Sequence, residues 1–177
     1  ELTRDIAKRF NGVYGDVFKI PEPFIPKEGA RVMSLNAPDS KMSKSIPEGC
    51  VFLMEKPEDI MRKFKRAVTD SDTENCVRFD LKEKPGVSNL INIYAACTGK
   101  TPAEIEAEFA GQGYGAFKPK VGEAVVETLR PIREEATRLI ADKAYLLDVY
   151  KQGAEKASYV ANKTLRKVYK KIGFLQL

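Results

Sequence analysis

The hydrophobic and polar positions divide this chain into a short mixed stretch followed by a series of amphipathic helices. Leu2, Ile6, Phe10 and Val13 recur at the spacing of one helical face, so residues 1–14 read as helix, with Gly15 placed to end it. Residues 16–25 are apolar but broken by Pro21 and Pro23, which reads as a strand or extended edge segment and not as a central strand. Residues 30–35, Ala-Arg-Val-Met-Ser-Leu, read as a short strand running into a polar loop.

Beyond the apolar run Val51–Met54 the period becomes helical. Pro57 opens a helix, with Glu58 and Asp59 at its positive end and Ile60, Met61, Phe64, Ala67 and Val68 as its buried stripe. Residues 86–98 give a second helix, with Leu90, Ile91, Tyr94 and Ala95 on one face. Thr101-Pro102-Ala103-Glu104 is a capping box with proline at the first helical position. Residues 119–140 form a long helix with Val121, Val125, Leu129, Ile132, Leu139 and Ile140 inward and a kink expected at Pro131. Residues 154–172 form the last helix, with Ala154, Ala157, Ala161, Leu165, Val168 and Ile172 inward and the lysines outward. These stripes are most simply core. There is no internal repeat and no low-complexity segment. The expected architecture is mostly α: a small α/β remnant to about residue 55, then a helical bundle.

Composition narrows the chemistry. The 177 residues are 43% hydrophobic and 31% charged, a soluble globular balance. No apolar run is long enough to cross a bilayer, and no signal peptide is visible. Glu1 begins what reads as the middle of a helix, so the chain is expected to be trimmed or to be a piece of something larger. Cys50, Cys76 and Cys97 are odd in number and far apart, which argues against a disulfide framework and for a reducing, cytoplasmic setting. There is no histidine, which excludes Ser-His and Cys-His nucleophile pairs and any histidine-bearing zinc site. The net charge of +5 is uneven: residues 151–177 hold seven basic side chains (Lys151, Lys156, Lys163, Arg166, Lys167, Lys170, Lys171) against one acid, Glu155. That helix is either a solvated basic face or a contact for a phosphate backbone.

The strongest motif is Lys41-Met42-Ser43-Lys44-Ser45. Two ammonium groups three residues apart, each beside a hydroxyl, suit a polyphosphate, because charge-assisted bonds to phosphate oxygens are about twice as strong as neutral ones. A loop just past a strand end is also where open α/β sheets place ligand-binding groups. The bland alternative is a solvated basic turn. Three weaker motifs fail on their own terms. Gly99-Lys100-Thr101 lacks the first glycine of a P-loop, since Tyr94 stands there, and reads as a helix end before the capping box. Asp70-Ser71-Asp72-Thr73-Glu74 lacks the glycine and closing glutamate of a calcium loop, Asn75 and Leu81 standing in their places, and reads as an acidic loop. Gly111-Gln112-Gly113-Tyr114-Gly115 reads as a mobile connector between helices.

Lys41-Met42-Ser43-Lys44-Ser45 matches the signature loop of class I aminoacyl-tRNA synthetases. The segments Glu1–Ala7, Gly29–Leu35, Ala67–Asp72, Gly86–Leu90 and Gly153–Ala157 narrow the match: together they resemble the bacterial tryptophanyl-tRNA synthetase family, over essentially the whole chain. The resemblance implies a C-terminal half. Residues 1–55 would be the end of the catalytic domain, carrying the signature loop. Residues 56–177 would be the helical anticodon-binding domain, whose last helix can pack back on the catalytic domain. The HIGH-type motif and the tryptophan pocket lie upstream in such enzymes, so the chain alone is expected to be inactive.

In the family, the carboxylate of tryptophan attacks the α-phosphate of ATP, and the aminoacyl group then passes to tRNA(Trp). By resemblance, Lys41 and Lys44 meet the pyrophosphate moiety, and Ser43 and Ser45 donate to phosphate or cap the loop. The Val32 backbone would meet the adenine, and Met42 would pack near the adenosine. Mg²⁺ would accompany ATP without a named protein ligand. Family enzymes are dimers, so a homodimer is implied for the full-length protein, with no membrane involved. One departure stands out: Ile46 occupies a position where family members usually carry Asp, which bears on how the loop is capped and closed. Two readings compete with this one: a non-catalytic RNA-binding helical module, and another nucleotidyl transferase of the same superfamily.

Overall fold

The computed structural model describes residues 1–25, 31–73 and 76–175. Those residues form six α-helices: α1 (Leu2–Tyr14), α2 (Pro57–Arg66), α3 (Pro85–Thr98), α4 (Pro102–Glu108), α5 (Tyr114–Ala141) and α6 (Lys143–Ile172). A single turn of 3-10 helix, Pro47–Gly49, precedes α2. The chain divides into two compact units, one of residues 26–137 and one of residues 1–25 with 138–177.

The larger unit holds the core. Ile60 and Phe64 of α2, Val87, Leu90 and Ile91 of α3, Ile105 of α4, and Phe117 and Val121 of α5 are essentially inaccessible to solvent. Tyr94, Phe109 and Phe117 stack edge to face, with centroids 5.8 and 4.9 Å apart, and so join α3, α4 and α5. Local signals explain the helix ends. Pro57, Pro85 and Pro102 occupy first helical positions, where their missing N–H is no loss. Thr101 and Glu104 close their capping box in both directions. Gly99 ends α3 with φ 74°.

The smaller unit is sparser. Asn11 folds the segment after α1 back on the helix: its Oδ1 accepts from Val17 and Phe18 N–H at 3.1 and 3.0 Å, and its Nδ2 donates to Phe18 C=O at 2.7 Å. Phe10 packs edge to face on Phe18 at 5.0 Å.

Several expectations are corrected. Residues 16–25 form no strand; the Asn11 side chain takes the backbone bonds that a sheet neighbour would have taken. Of the expected strand at 30–35, Ala30 lies outside the described residues. The rest makes one antiparallel bridge, Met33 to Lys41, because successive N–H groups at Ser34 and Leu35 go to different partners, Ser40 and Gly49. Helix α5 starts five residues earlier than expected and runs on through Pro119 and Pro131. Helix α6 starts at Lys143, where Asp142 caps it by accepting from Tyr145 N–H, and Gly153 is absorbed within it. The stripes of the smaller unit are not core: Leu2, Ile6 and Val13 are exposed, as are Ala154, Ala157, Ala161 and Leu165, and α6 buries no residue at all. Ile132 and Ile140 of α5 and Val68, just past α2, are exposed as well. An apolar stripe becomes core only where other elements cover it.

Gly86 shows how tightly the larger unit closes around the backbone at Val68. A Cβ at Gly86 would lie 2.2 Å from the Val68 carbonyl oxygen. Gly→Ala inside a helix ordinarily gains up to about 1 kcal/mol, whereas overpacking against an immovable group costs about 1–3 kcal/mol. Gly86→Ala is therefore expected to lower stability by roughly 1–2 kcal/mol in urea unfolding; an increase in stability would show that the approach is looser than described.

Candidate functional site: the loop at residues 41–45

The polar loop grows from a backbone segment, residues 32–35, that is held on both edges. On one edge, Val32 C=O accepts from Met42 N–H at 3.0 Å, and Ser34 N–H donates to Ser40 C=O at 2.8 Å. On the other, Asn89 of α3 accepts from Met33 N–H and donates to Met33 C=O, each at 2.9 Å. Leu35 continues the pattern, donating to Gly49 C=O at 3.0 Å and accepting from Val68 N–H at 2.7 Å. The tight turn at 36–40 and the loop at 41–48 thus leave from, and return to, one fixed line of backbone.

The return is fixed separately. Gly49 is buried, and a Cβ there would stand 2.1 Å from Ser34 Oγ and 2.2 Å from Asn36 Oδ1, which are themselves hydrogen-bonded at 2.7 Å. Lys63 of α2 pairs with Glu55 at 2.6 Å and donates to Cys50 C=O at 2.7 Å, and both side chains are largely buried. Glu55 also accepts from Phe52 N–H at 3.2 Å.

Between these anchors the loop closes on its own backbone. Ile46 N–H donates to Ser43 C=O at 3.1 Å, Ser45 N–H donates to Ser43 Oγ at 3.3 Å, and Gly49 N–H donates to Ile46 C=O at 3.2 Å. Ile46 thus closes the turn through its main chain, while its side chain stands 52% exposed. The side chains divide by chemistry. Met42 and Val32 are half-buried and packed against the core cluster. Lys41, Lys44 and Ser45 are exposed, and Ser43 is half-buried. Among the described residues, neither Lys41 nor Lys44 has an ion-pair or hydrogen-bond partner, and the Val32 N–H is unbonded. The loop therefore presents two unneutralised cations and two hydroxyls on a backbone fixed at both ends, an arrangement able to receive a polyanion without breaking an internal ion pair.

A second polar cluster lies behind the segment that supplies Val68. Lys84, 3% exposed, donates to Asp72 at 2.6 Å, Asp70 at 3.0 Å and the Tyr114 hydroxyl at 3.2 Å. Tyr114 Oη lies 2.7 Å from Asp70 Oδ1 and 3.0 Å from Cys76 C=O. Asp70 and Asp72, in the stretch read as an acidic loop, are therefore ion-pair acceptors for Lys84; its Glu74, with the neighbouring Asn75, lies outside the described residues. Burial pushes Lys84 down, but its bonds to Asp72, Asp70 and Tyr114 outweigh that and hold its pKa above the ordinary value. Burial raises the Asp70 carboxyl, yet bonds from Tyr114, the Asp72 N–H and Lys84 together hold it below the usual 3.8.

Sequence reasoning found every residue of the loop but missed Asn89, Lys63 and Lys84. Nothing local marks these three: an asparagine and two lysines near or within helices read as solvated until the fold places backbone or carboxylates against them.

Because the folded pKa of Asp70 lies below its unfolded value, its contribution to stability is complete above 3.8 and is lost as the pH falls through the folded value. Asp70→Asn is expected to cost about 2 kcal/mol near neutral pH and to flatten that acid-side loss. Urea titrations at several pH values check both; an unchanged acid slope would remove Asp70 from the account.

Comparison with known proteins places the chain in a family. The family model described as tRNA synthetases class I (W and Y) matches residues 1–130. The chain is 52% identical to a tryptophan–tRNA ligase of Clostridium tetani and 49% identical to one of Clostridium acetobutylicum, in each case over 99% of the chain and 52% of the relative. A crystal structure of tryptophanyl-tRNA synthetase from Mycoplasma pneumoniae superposes with a TM-score of 0.84 at 27% identity, over 99% of this chain and 55% of that one. A tryptophanyl-tRNA synthetase from Campylobacter jejuni, complexed with ADP and tryptophan, gives a TM-score of 0.65 at 27% identity, over 97% of this chain and 52% of that one. The chain spans about half the length of the curated relatives it matches. With its signature loop and a family match over residues 1–130, the chain belongs to the class I tRNA synthetases of the tryptophan and tyrosine type.

Proposed function

We propose that this chain is the signature-loop and helical half of a tryptophan–tRNA ligase, which activates tryptophan with ATP and transfers it to tRNA(Trp). One observation carries the reading: Lys41 and Lys44, without a partner among the described residues, stand on a doubly anchored loop in a chain half identical to tryptophan–tRNA ligases.

Activation gathers negative charge on the bridging and leaving oxygens as pyrophosphate separates from the α-phosphate. Cations placed in advance stabilise that charge without reorganising at the moment of reaction. Lys41 and Lys44 take this role toward the departing pyrophosphate, Lys44 foremost. Ser43 and Ser45 supply hydroxyl donors. The Val32 N–H is available to the adenine, and Met42, seated against the core, keeps the loop's root in register beside the adenosine. ATP is a substrate here, and Mg²⁺ comes with it, held mainly by phosphates and water. Residues 1–55 belong to the catalytic portion and residues 56–177 to the anticodon-binding portion. The full-length protein works as a homodimer in the cytoplasm.

The seven basic residues of 151–177 are all exposed, which also supports a second reading, an RNA-binding helical module without catalysis. ATP-independent RNA binding that weakens steeply with salt, in a full-length protein lacking activation, would favour it.

Lys44→Ala in the full-length enzyme is expected to lower kcat for tryptophan-dependent ATP–pyrophosphate exchange by about 10²- to 10³-fold. Tryptophan affinity should change by no more than about 2-fold. Equal losses in rate and tryptophan binding would sink the transition-state role.

A further inference from the structure

Asn89 is polar, sits on α3, and is 3% exposed. It is not spent on its own helix. Both ends of its amide meet the two backbone groups of Met33, 56 residues away in sequence. An amide carries a donor and an acceptor side by side, so it pairs with one residue's N–H and C=O as a neighbouring strand would. The geometry shows which edge it serves. Met33 points its N–H and C=O to Asn89, while the flanking Val32 C=O and Ser34 N–H point the other way, to Met42 and Ser40. Lys41 lies directly opposite Met33 in that bridge. Displacing Met33 would therefore displace Lys41 and the start of the loop with it.

We infer that Asn89 is a positioning residue for the loop at 41–45: it sets where Lys41 and Lys44 stand without touching the nucleotide. This rests on the reading of that loop as the ATP-phosphate loop of tryptophan activation. The α3 helix is buried along most of its length, so the clasp ties the loop's root to the most deeply buried helix of the unit. The dependence is steep, because a displacement of about 1 Å at a reacting centre can cost roughly 100-fold in rate.

Two variants of the full-length enzyme separate positioning from mere support. Asn89→Asp keeps the size and the acceptor but sets an oxygen against Met33 C=O. Asn89→Leu keeps the number of side-chain heavy atoms and removes both bonds. Ser88→Ala serves as the comparison: the adjacent Ser88 is fully buried and accepts from Asp80 N–H at 2.8 Å, with no bond to the loop. Each protein is assayed for tryptophan affinity and for kcat and KM for ATP in tryptophan-dependent pyrophosphate exchange. The expected result is a drop in kcat of about 10- to 100-fold for both Asn89 variants. Tryptophan affinity should stay within about 2-fold, and Ser88→Ala should keep kcat within about 3-fold. Unchanged kcat in the Asn89 variants, an equal drop in Ser88→Ala, or loss of tryptophan binding together with exchange would each overturn the inference. Absence of tryptophan-dependent exchange in the unaltered enzyme would overturn the proposed function and the inference with it.

Discussion

A buried backbone group without a hydrogen-bond partner costs about 1–3 kcal/mol, and the segment Val32–Leu35 would bury several if it lacked neighbours. It belongs to no sheet, so its partners are assembled from four places: Ser40 and Met42 across the turn, Gly49 beyond the loop, Val68 after α2, and the Asn89 side chain on α3. Everything proposed for the site depends on this line of satisfied backbone. It fixes both ends of an exposed loop while leaving Lys41 and Lys44 without a partner among the described residues.

Four lysines of the larger unit show the contrast. Lys84 is buried and Lys63 largely so, each beside carboxylates, and both hold the scaffold together. Their charges are already neutralised, and removing a partner would leave an ion stranded in a poor solvent. Lys41 and Lys44 are exposed, with no such partner among the described residues. Exposed lysines are common, and two of them on a loop would mean little by themselves. What distinguishes these is the backbone beneath them, which restricts where the charges can be while water still screens them. A polyanion that displaced this water would meet cations whose placement folding has largely settled.

The sequence revealed those parts of the structure whose causes are local. Pro57, Thr101 with Glu104, and Gly99 each set a helix end through groups within a few residues, and all three stand where the pattern put them. The candidate loop at 41–45 stood out in the sequence because two lysines and two hydroxyls at that spacing suit a polyphosphate. The supports were not. Asn89 contacts Met33 across 56 residues, and Lys84 reaches Asp70 across 14, so neither pairing exists until the helices pack. Strands at 16–25 and 30–35 were expected from apolar composition, but a strand needs a neighbour, and side chains of Asn11 and Asn89 fill that place instead. The stripes of α1 and α6 were read as core because periodicity records which face is apolar and cannot record what covers it. The early start of α6 could have been seen, because Asp142 is an ordinary capping residue.

Amide hydrogen exchange, followed residue by residue through the loop and its roots, tests the central claim most directly: a rigid root carrying a free loop. Slow exchange is expected at Met33, Ser34, Leu35 and Met42, whose N–H groups are bonded, with fast exchange at Lys44, whose N–H has no bond among the described residues. Uniformly fast exchange from Met33 to Ser45 would contradict the account, because the lysines would then ride on a backbone that the fold does not hold.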